Sequence, residues 1–269
     1  MVIAILIGLA ALVIYVFTRP PITASGTSTT PTPAPVVAAL AHLPASVFDT
    51  VGVQITDRPT PLTAPSMLTG QPRLELDGKP EVFFVGADYC PFCAATRWPL
   101  VVALSRFGRF TGLQDTQSSG TSAFAGIPTF SFAHTRYDSP YLSFAGVELY
   151  SDEQDANGTY ARRDTLTPTE ASLVQRYGAE SGSAPAIPFV DIGNRMVVTT
   201  SPFTPGLLTR HSQADIVSAI QQPEQRSGQA VLASANFLSA GLCQVTGQQP
   251  SAVCTSKGVR DADAALGLS

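Results

Sequence analysis

Cys90-Pro91-Phe92-Cys93 is the stretch of this chain whose residue types and spacing can do chemistry. Two thiols separated by two residues come within disulfide reach on a helical turn. A helix N-terminus presents unsatisfied N–H groups and partial positive charge, and both stabilise a thiolate. If Cys90 opens a helix, its pKa should fall below that of a free thiol. Cys90 is then the sulfur that attacks or is attacked in thiol–disulfide exchange. Cys93, one turn deeper, resolves the mixed disulfide. Pro91 lacks an N–H and suits the first helical turn, and Phe92 adds an apolar side chain without charge. Two other readings stay open. A zinc half-site needs four ligands, usually two such pairs, and the remaining cysteines form a poor second half. An inert or structural pair is the other reading.

Those remaining cysteines, Cys243 and Cys254, flank a loop with Gly247 and Pro250. In an oxidising compartment they are expected to pair as a structural disulfide. Closing about 12 residues is worth roughly 3 kcal/mol in the chain-entropy model. A second redox pair relaying electrons to Cys93, or two unpaired thiols, are the alternatives. His42, His134 and His211 are scattered, so no His-based metal site is expected, no cofactor is implied, and His134 and His211 receive no role.

The elements that must position Cys90 can be read around it. Glu81-Val82-Phe83-Phe84-Val85 is nearly all apolar, as a central buried strand should be. Arg73 to Leu76 pairs with it across an Asp77-Gly78 turn. Gly86 to Tyr89 is the exit loop, and Cys90 opens a helix through about Leu104, with Pro99 inside it expected to kink it. Trp98 on that helix is read as core. Pro44 to Val51 is a short helix closed by Gly52. Thr129 to His134 and Tyr141 to Glu148 read as extended. Thr167-Pro168-Thr169-Glu170 has the cap, the proline and the acid of a helix start, running to about Tyr177. Ala186 to Ile192, a Gly193-Asn194 turn and Arg195 to Thr199 read as a hairpin. Asp215 to Ile220 and Ala230 to Gly241 are helices. Arg162-Arg163-Asp164 is read as a solvated charge run.

The chain has 269 residues, 44% hydrophobic and only 13% charged, against roughly 25% charged in a typical soluble domain. A net charge of −4 argues against a nucleic-acid binder, which should show a basic face. Val2 to Phe17 is uncharged and apolar. With Met1 it makes about 25 Å of helix at 1.5 Å per residue, slightly short of a hydrocarbon core of roughly 30 Å. We read residues 1–17 as a transmembrane anchor. A cleaved signal peptide is the competing reading, although no Lys or Arg precedes the apolar run. Residues 18–37, rich in Pro and Thr, are read as an extended linker, and residues 38–269 as one folded body with a C-terminal helical tail. Arg19 alone would keep the following flank in the cytoplasm.

The order strand, helix, strand, helix, strand, strand, helix is similar to an α/β thioredoxin-like sheet flanked by helices. Together with the Cys-x-x-Cys pair it resembles the thioredoxin superfamily, especially membrane-tethered extracytoplasmic disulfide oxidoreductases. A closer resemblance is to the family known only as domain of unknown function 929. It is carried by Asp77-Gly78-Lys79-Pro80-Glu81-Val82, by Gly86 to Ala94, by Arg97-Trp98-Pro99-Leu100 and by Ala103 to Gly108. Ile187-Pro188-Phe189-Val190-Asp191-Ile192-Gly193-Asn194 and Cys243…Cys254 complete it, over about residues 44–255. That resemblance implies a bacterial or archaeal protein with an N-terminal anchor and a thioredoxin-like domain outside the membrane.

The thioredoxin likeness implies a substrate-facing cis-proline before a strand, with Ile187-Pro188 and Ile127-Pro128 as candidates. Pro188 is chosen because strand, tight turn, strand and helix follow it. Ile187, Pro188, Pro91 and Phe92 are thus the expected substrate-binding residues. Many thioredoxins carry a buried acid six residues before the first cysteine, where this chain has Phe84. A long insertion, about residues 109–165, separates the motif helix from the Thr167 helix. The expected function is a membrane-anchored extracytoplasmic thiol–disulfide oxidoreductase. Its partners would be protein thiols or disulfides, a membrane redox recycling partner, and the membrane itself through residues 2–17. The other function class is a non-catalytic binding module that docks a partner protein.

Overall fold

The computed structural model describes residues 30–55, 61–121, 123–179 and 185–268. The expected anchor at 2–17 and the linker up to residue 29 lie outside the described residues. The fold is mixed α/β, built on a sheet whose middle strand is β4, Lys79–Gly86. On one side β4 pairs in parallel with β9, Ser143–Glu148, with Phe83 opposite Ala145. On the other it pairs antiparallel with β12, Phe189–Ile192, with Phe84 opposite Val190. β12 turns back into β13, Met196–Val198, which meets the short edge strand β2, Ser66–Met67. β3, Glu75–Leu76, joins β4 through the Asp77-Gly78 turn.

The sheet is covered on both faces, which is why its central strand reads as a continuous apolar run. Alternate residues go to opposite layers. Val82, Phe84, Val190, Ile192, Met196 and Val198 belong to the larger core. Phe83, Val85, Phe189 and Val197 form a smaller one with Val174. Val174 lies on a helix of Pro168–Tyr177, whose Thr167 and Glu170 make the expected capping box. Both central residues of the β12–β13 turn, Gly193 and Asn194, have positive φ, as a tight hairpin of this twist requires. The Asn194 N–H donates to Asp191 Oδ1 at 2.7 Å.

The larger core is filled from one side by helices. The motif helix, Pro91–Leu104, continues through Pro99, and Trp98 is fully buried. The long helix Arg226–Val245 is buried on nearly every face. A helix can be buried all round only if few large polar groups project from it. Here Gly, Ala and Ser make up much of its length, and a Cβ at Gly241 would run into Met196. Its Asn236 donates to the carbonyls of Phe48, at 3.0 Å, and Gly52, at 2.8 Å. Both carbonyls lie at the C-terminal end of the helix Ala45–Val51, where Phe48 O also accepts the Gly52 N–H at 2.9 Å, so the long helix ties down the end of the short one. Below it, Ser251–Cys254 and Lys257–Leu266 form the helical tail.

Two segments differ from the sequence reading. Residues 30–37 are not tether: β1, Thr30–Pro31, pairs with β6, Gln114–Gln117, and a helix spans Ala34–Ala41. Thr32 Oγ1 donates to Asp115 Oδ1 at 2.6 Å. Prolines before and at a helix start are compatible with the helix, so Pro content alone misreads this stretch. The span 109–165 is not all insertion either, because β9 within it is a central strand. Around β9 stand additional pieces: β5 with β8, Arg109–Thr111 and Arg136–Asp138; β6 with β7, Pro128–Ser131; and β10 with β11, Tyr150–Gln154 and Tyr160–Arg162. Among the described residues no single helix is long and apolar enough to cross a membrane.

Candidate active site

Cys90 is the N-cap of the motif helix, in extended conformation, and the Cys93 N–H donates to its Sγ at 3.1 Å. Two causes make the cap. Pro91 occupies the first helical position, where no N–H is needed, and the chain leaves a buried strand through the tight loop 87–89. The Cys90 N–H donates to Ala87 O at 3.1 Å, which folds that loop. Cys90 and Cys93 are both free thiols. Cys90 is 5% exposed and Cys93 fully buried, whereas Phe92 between them is 42% exposed.

Their environments push the two thiols apart. The Cys90 pKa is lowered by the Cys93 thiol as hydrogen-bond partner; burial opposes this, and the Cys93 backbone N–H and the Arg97 charge add to the lowering. The Cys93 pKa is raised well above its ordinary value by burial first, then by its bond to Cys90 and the charge of that sulfur. A nucleophile ionised before its neighbour is the polarity that exchange needs.

Beneath the thiols lies a buried cluster of charges that sequence reading missed. Arg97 is one helical turn beyond Cys93, so the two share a face. Arg97 Nε donates to Glu148 Oε1 at 3.0 Å and Nη2 to Oε2 at 2.5 Å. The same Nη2 stands 3.7 Å from Asp88 Oδ1, and Arg163 Nη2 stands 3.0 Å from Asp88 Oδ2. Glu148 also accepts the Phe132 N–H at 3.1 Å, and its own N–H donates to Asp164 Oδ2 at 3.1 Å. The side chains of Arg97, Asp88 and Glu148 are fully buried, and that of Arg163 is 8% exposed. Burial works against the Arg97 charge, but Glu148 and Asp88 more than offset it, so its pKa rises. Burial, then the Glu148 charge, push the Asp88 carboxyl up to about 7, against the pull of Arg97 and Arg163.

Arg163 is therefore not part of a solvated charge run. Arg162 next to it is exposed, and β11 ends between the two, turning one side chain out and the other in. The signal available in sequence was a lone charge at Arg97 within the otherwise apolar helix PFCAATRWPLVVAL. A charge inside an apolar helix needs a buried partner. Neither Asp88 nor Glu148 occupies the position of Phe84, whose ring lies 5.3 Å from the Arg97 guanidinium.

The substrate-binding candidates converge from two elements. The Ile187–Pro188 bond is cis. Phe189 stands opposite Val85, so that bond lies at the end of β4 from which the motif loop departs. Tyr89, directly before Cys90, and Ile187 line the same groove. Pro128, the other candidate, begins β7, and its carbonyl accepts the Trp98 indole N–H at 2.9 Å. Ile127–Pro128 is not among the cis bonds of the described residues. The added β6–β7 pair reaches the motif: Phe124 meets Phe92 edge-on at 6.1 Å, and the Ser119 N–H donates to Tyr89 O at 2.8 Å. Cys243 and Cys254 are bonded to each other, with Cα atoms 5.7 Å apart, so neither is free to complete a zinc site with Cys90 and Cys93. Among the described residues there is no group of three or more His, Cys, Asp or Glu able to hold a metal ion.

The class these features define is a mixed α/β domain carrying a buried dithiol at a helix start. The chain belongs to the family described as domain of unknown function (DUF929), whose model matches residues 69–244. That match includes the dithiol, the charge cluster, the cis-proline and Cys243. No curated protein and no solved structure matches the chain.

Proposed function

We propose that this protein is a thiol–disulfide oxidoreductase of thioredoxin-like architecture, with Cys90 as nucleophile and Cys93 as resolving thiol. The observation that carries the reading is the split between the two thiols: an ionisable Cys90 at a helix start, and a buried Cys93 that donates to it. The strand order β9-β4-β12-β13, with the motif helix after β4 and a cis-proline before β12, supports the architecture. The Cys90 thiolate attacks a substrate disulfide, forming one S–S bond and expelling one substrate sulfur as thiolate. Cys93 then loses its proton and attacks Cys90 Sγ, which expels the second substrate thiolate. The substrate gains two electrons and the enzyme pair loses two; run backwards, the same steps oxidise a substrate dithiol. Ile187, Pro188, Pro91 and Phe92 would border the incoming sulfur.

The domain is further proposed to lie outside the cytoplasm, tethered through residues 2–17, with a membrane redox protein recycling the pair. The Cys243–Cys254 bond supports that placement, since such bonds persist in oxidising compartments. An alkaline phosphatase fused after residue 29 should be active; activity of a cytoplasmic reporter at the same junction would refute the placement. For the chemistry, a Cys93→Ser chain should accumulate mixed disulfides with particular proteins, and Cys90→Ser should abolish insulin reduction and oxidative refolding. Unchanged activities in Cys90→Ser would leave the second reading, a domain that docks a partner without turnover. That reading draws on the low exposure of Cys90 and on Phe84 where an acid is common.

A further inference from the structure

Beside the dithiol lies a groove that sulfur exchange by itself does not require. Tyr89 and Ile187 line it, each a single residue from a group that would border the reacting sulfur, together with Tyr150 and Arg162 of the β10–β11 hairpin, Leu166 and Pro185. The groove has a cavity volume of about 360 Å³, at the lower end of the range of pockets that hold small ligands or a few side chains. Its aromatic wall is braced: Tyr89 stacks on Tyr160 at 4.0 Å and meets Tyr150 edge-on at 6.1 Å. A braced ring offers contact area without an ordering cost on binding.

One charge marks the rim. The Arg162 guanidinium lies 5.5 Å from the centre of the Tyr150 ring and its residue is exposed. No carboxylate pairs with it among the described residues, in contrast with Arg163, which turns inward to Asp88. Asp164, the carboxylate among the lining residues, accepts the Glu148 N–H at 3.1 Å.

We propose that this groove is a side-chain subsite for a polypeptide substrate, accepting a bulky apolar or aromatic residue close to the substrate cysteine, with an acidic residue beside it against Arg162. The proposal rests on Cys90 being the exchange nucleophile. Tyr89 precedes Cys90 and Ile187 precedes the cis-proline, so both lie beside a chain whose cysteine meets Cys90, and both open onto the groove. An aromatic ring there is removed from water against Tyr89, Tyr150 and Leu166. A neighbouring carboxylate gains the unneutralised Arg162 charge, whereas a lysine meets repulsion.

The test uses the full-length chain carrying Cys93→Ser. The probes are synthetic peptides whose cysteine is joined to nitrothiobenzoate. The Cys90 thiolate attacks the peptide sulfur, forms the mixed disulfide and expels the coloured nitrothiobenzoate thiolate. A peptide with Phe and Glu beside the cysteine should react on the order of tenfold faster than one with Gly and Gly, the range expected for filling an apolar pocket. Phe with Lys should fall between them. Arg162→Glu, at an exposed position where folding is spared, should reverse the Glu-over-Lys order, and Tyr150→Ala should remove the Phe preference. Hydroxyethyl disulfide, which has neither a ring nor a charge to place in the groove, should react equally with all variants. If hydroxyethyl disulfide reacts but every peptide reacts alike, or the variants leave the preferences unchanged, the subsite is refuted and the exchange reading stands. If neither hydroxyethyl disulfide nor any peptide reacts, the exchange reading fails and the subsite with it.

Discussion

Arg97 grips Glu148 with two parallel bonds, 3.0 and 2.5 Å long, one helical turn beyond Cys93 and wholly out of water. The bidentate form fixes the guanidinium in direction as well as position. Glu148 ends β9 and Arg97 lies on the motif helix, so this pair ties the helix that carries the thiols to the strand beside the one that precedes it. Arg97→Met would leave Glu148 buried without its partner. Breaking one side of such a pair costs on the order of 3–5 kcal/mol, and urea unfolding should read a loss of that size. Arg97→Met with Glu148→Gln should recover part of it, because the uncompensated charge is gone. Equal losses in the single and double variants would refute the pairing as the cause.

The same guanidinium favours the Cys90 thiolate. At neutral pH Cys90 should react with iodoacetamide well before Cys93, since the Cys90 pKa is lowered and that of Cys93 raised. The Cys90 rate should fall as the pH drops through its depressed pKa, while Cys93 should stay unlabelled until the protein unfolds. Peptide mapping after timed labelling separates the two. Comparable rates at neutral pH would remove the asymmetry on which the proposed division between nucleophile and resolving thiol rests.

Asp88 gives stability a pH dependence of definite sign. Its carboxyl is raised from 3.8 to about 7 in the folded protein, so the folded state holds its proton more tightly than the unfolded chain. Its contribution is fully present below about 4 and is lost as the pH rises through about 7. The span corresponds to roughly 4 kcal/mol if Asp88 acts alone. Arg97, Arg163 and Glu148 face it, and Ser131 lies near, so the observed change will be shared among them. Unfolding free energy should therefore fall between pH 4 and pH 7 more steeply in the wild type than in Asp88→Asn. Parallel pH profiles for the two proteins would show that Asp88 does not titrate in that window.

Much of the main sheet was legible because its signals are local. The run Val82-Phe83-Phe84-Val85 marked a strand buried on both faces, Gly193-Asn194 marked a hairpin, and Thr167 with Glu170 marked a cap. The charge cluster was not legible, because its members lie at positions 88, 97, 148 and 163 and only the sheet brings them together. Arg162 and Arg163 are adjacent and look alike in sequence, yet one faces the groove and the other Asp88. The direction of a side chain at a strand end depends on pairing, here Tyr150 with Arg162. Thr30 and Pro31 were hidden for a related reason: a two-residue edge strand exists only because β6 offers it a partner.

The four cysteines should divide by reductant strength. The Cys90–Cys93 pair gains stability in its reduced form from the helix start and from Arg97, and a disulfide whose thiolate is stabilised is the easier to reduce. Cys243 and Cys254 have no such help. Cys243 is buried in the helix Arg226–Val245 and Cys254 ends the short helix Ser251–Cys254, so their bond closes the tail onto the core. Arg106 reinforces that closure, donating to Ser239 Oγ at 2.9 Å and to Ser256 Oγ at 3.1 Å. An oxidised Cys90–Cys93 pair should open in mild dithiothreitol, with Cys243–Cys254 yielding only at higher reductant or on unfolding. Replacing both tail cysteines by serine should cost up to about 3 kcal/mol by the loop-closure argument and lower the melting temperature, while exchange at Cys90 persists. Thiol labelling with mass spectrometry across a reductant series follows all four sulfurs at once. If they titrate together, or if loss of the tail pair stops exchange without lowering stability, then Cys243 and Cys254 pass electrons to Cys93 and are not a structural clasp.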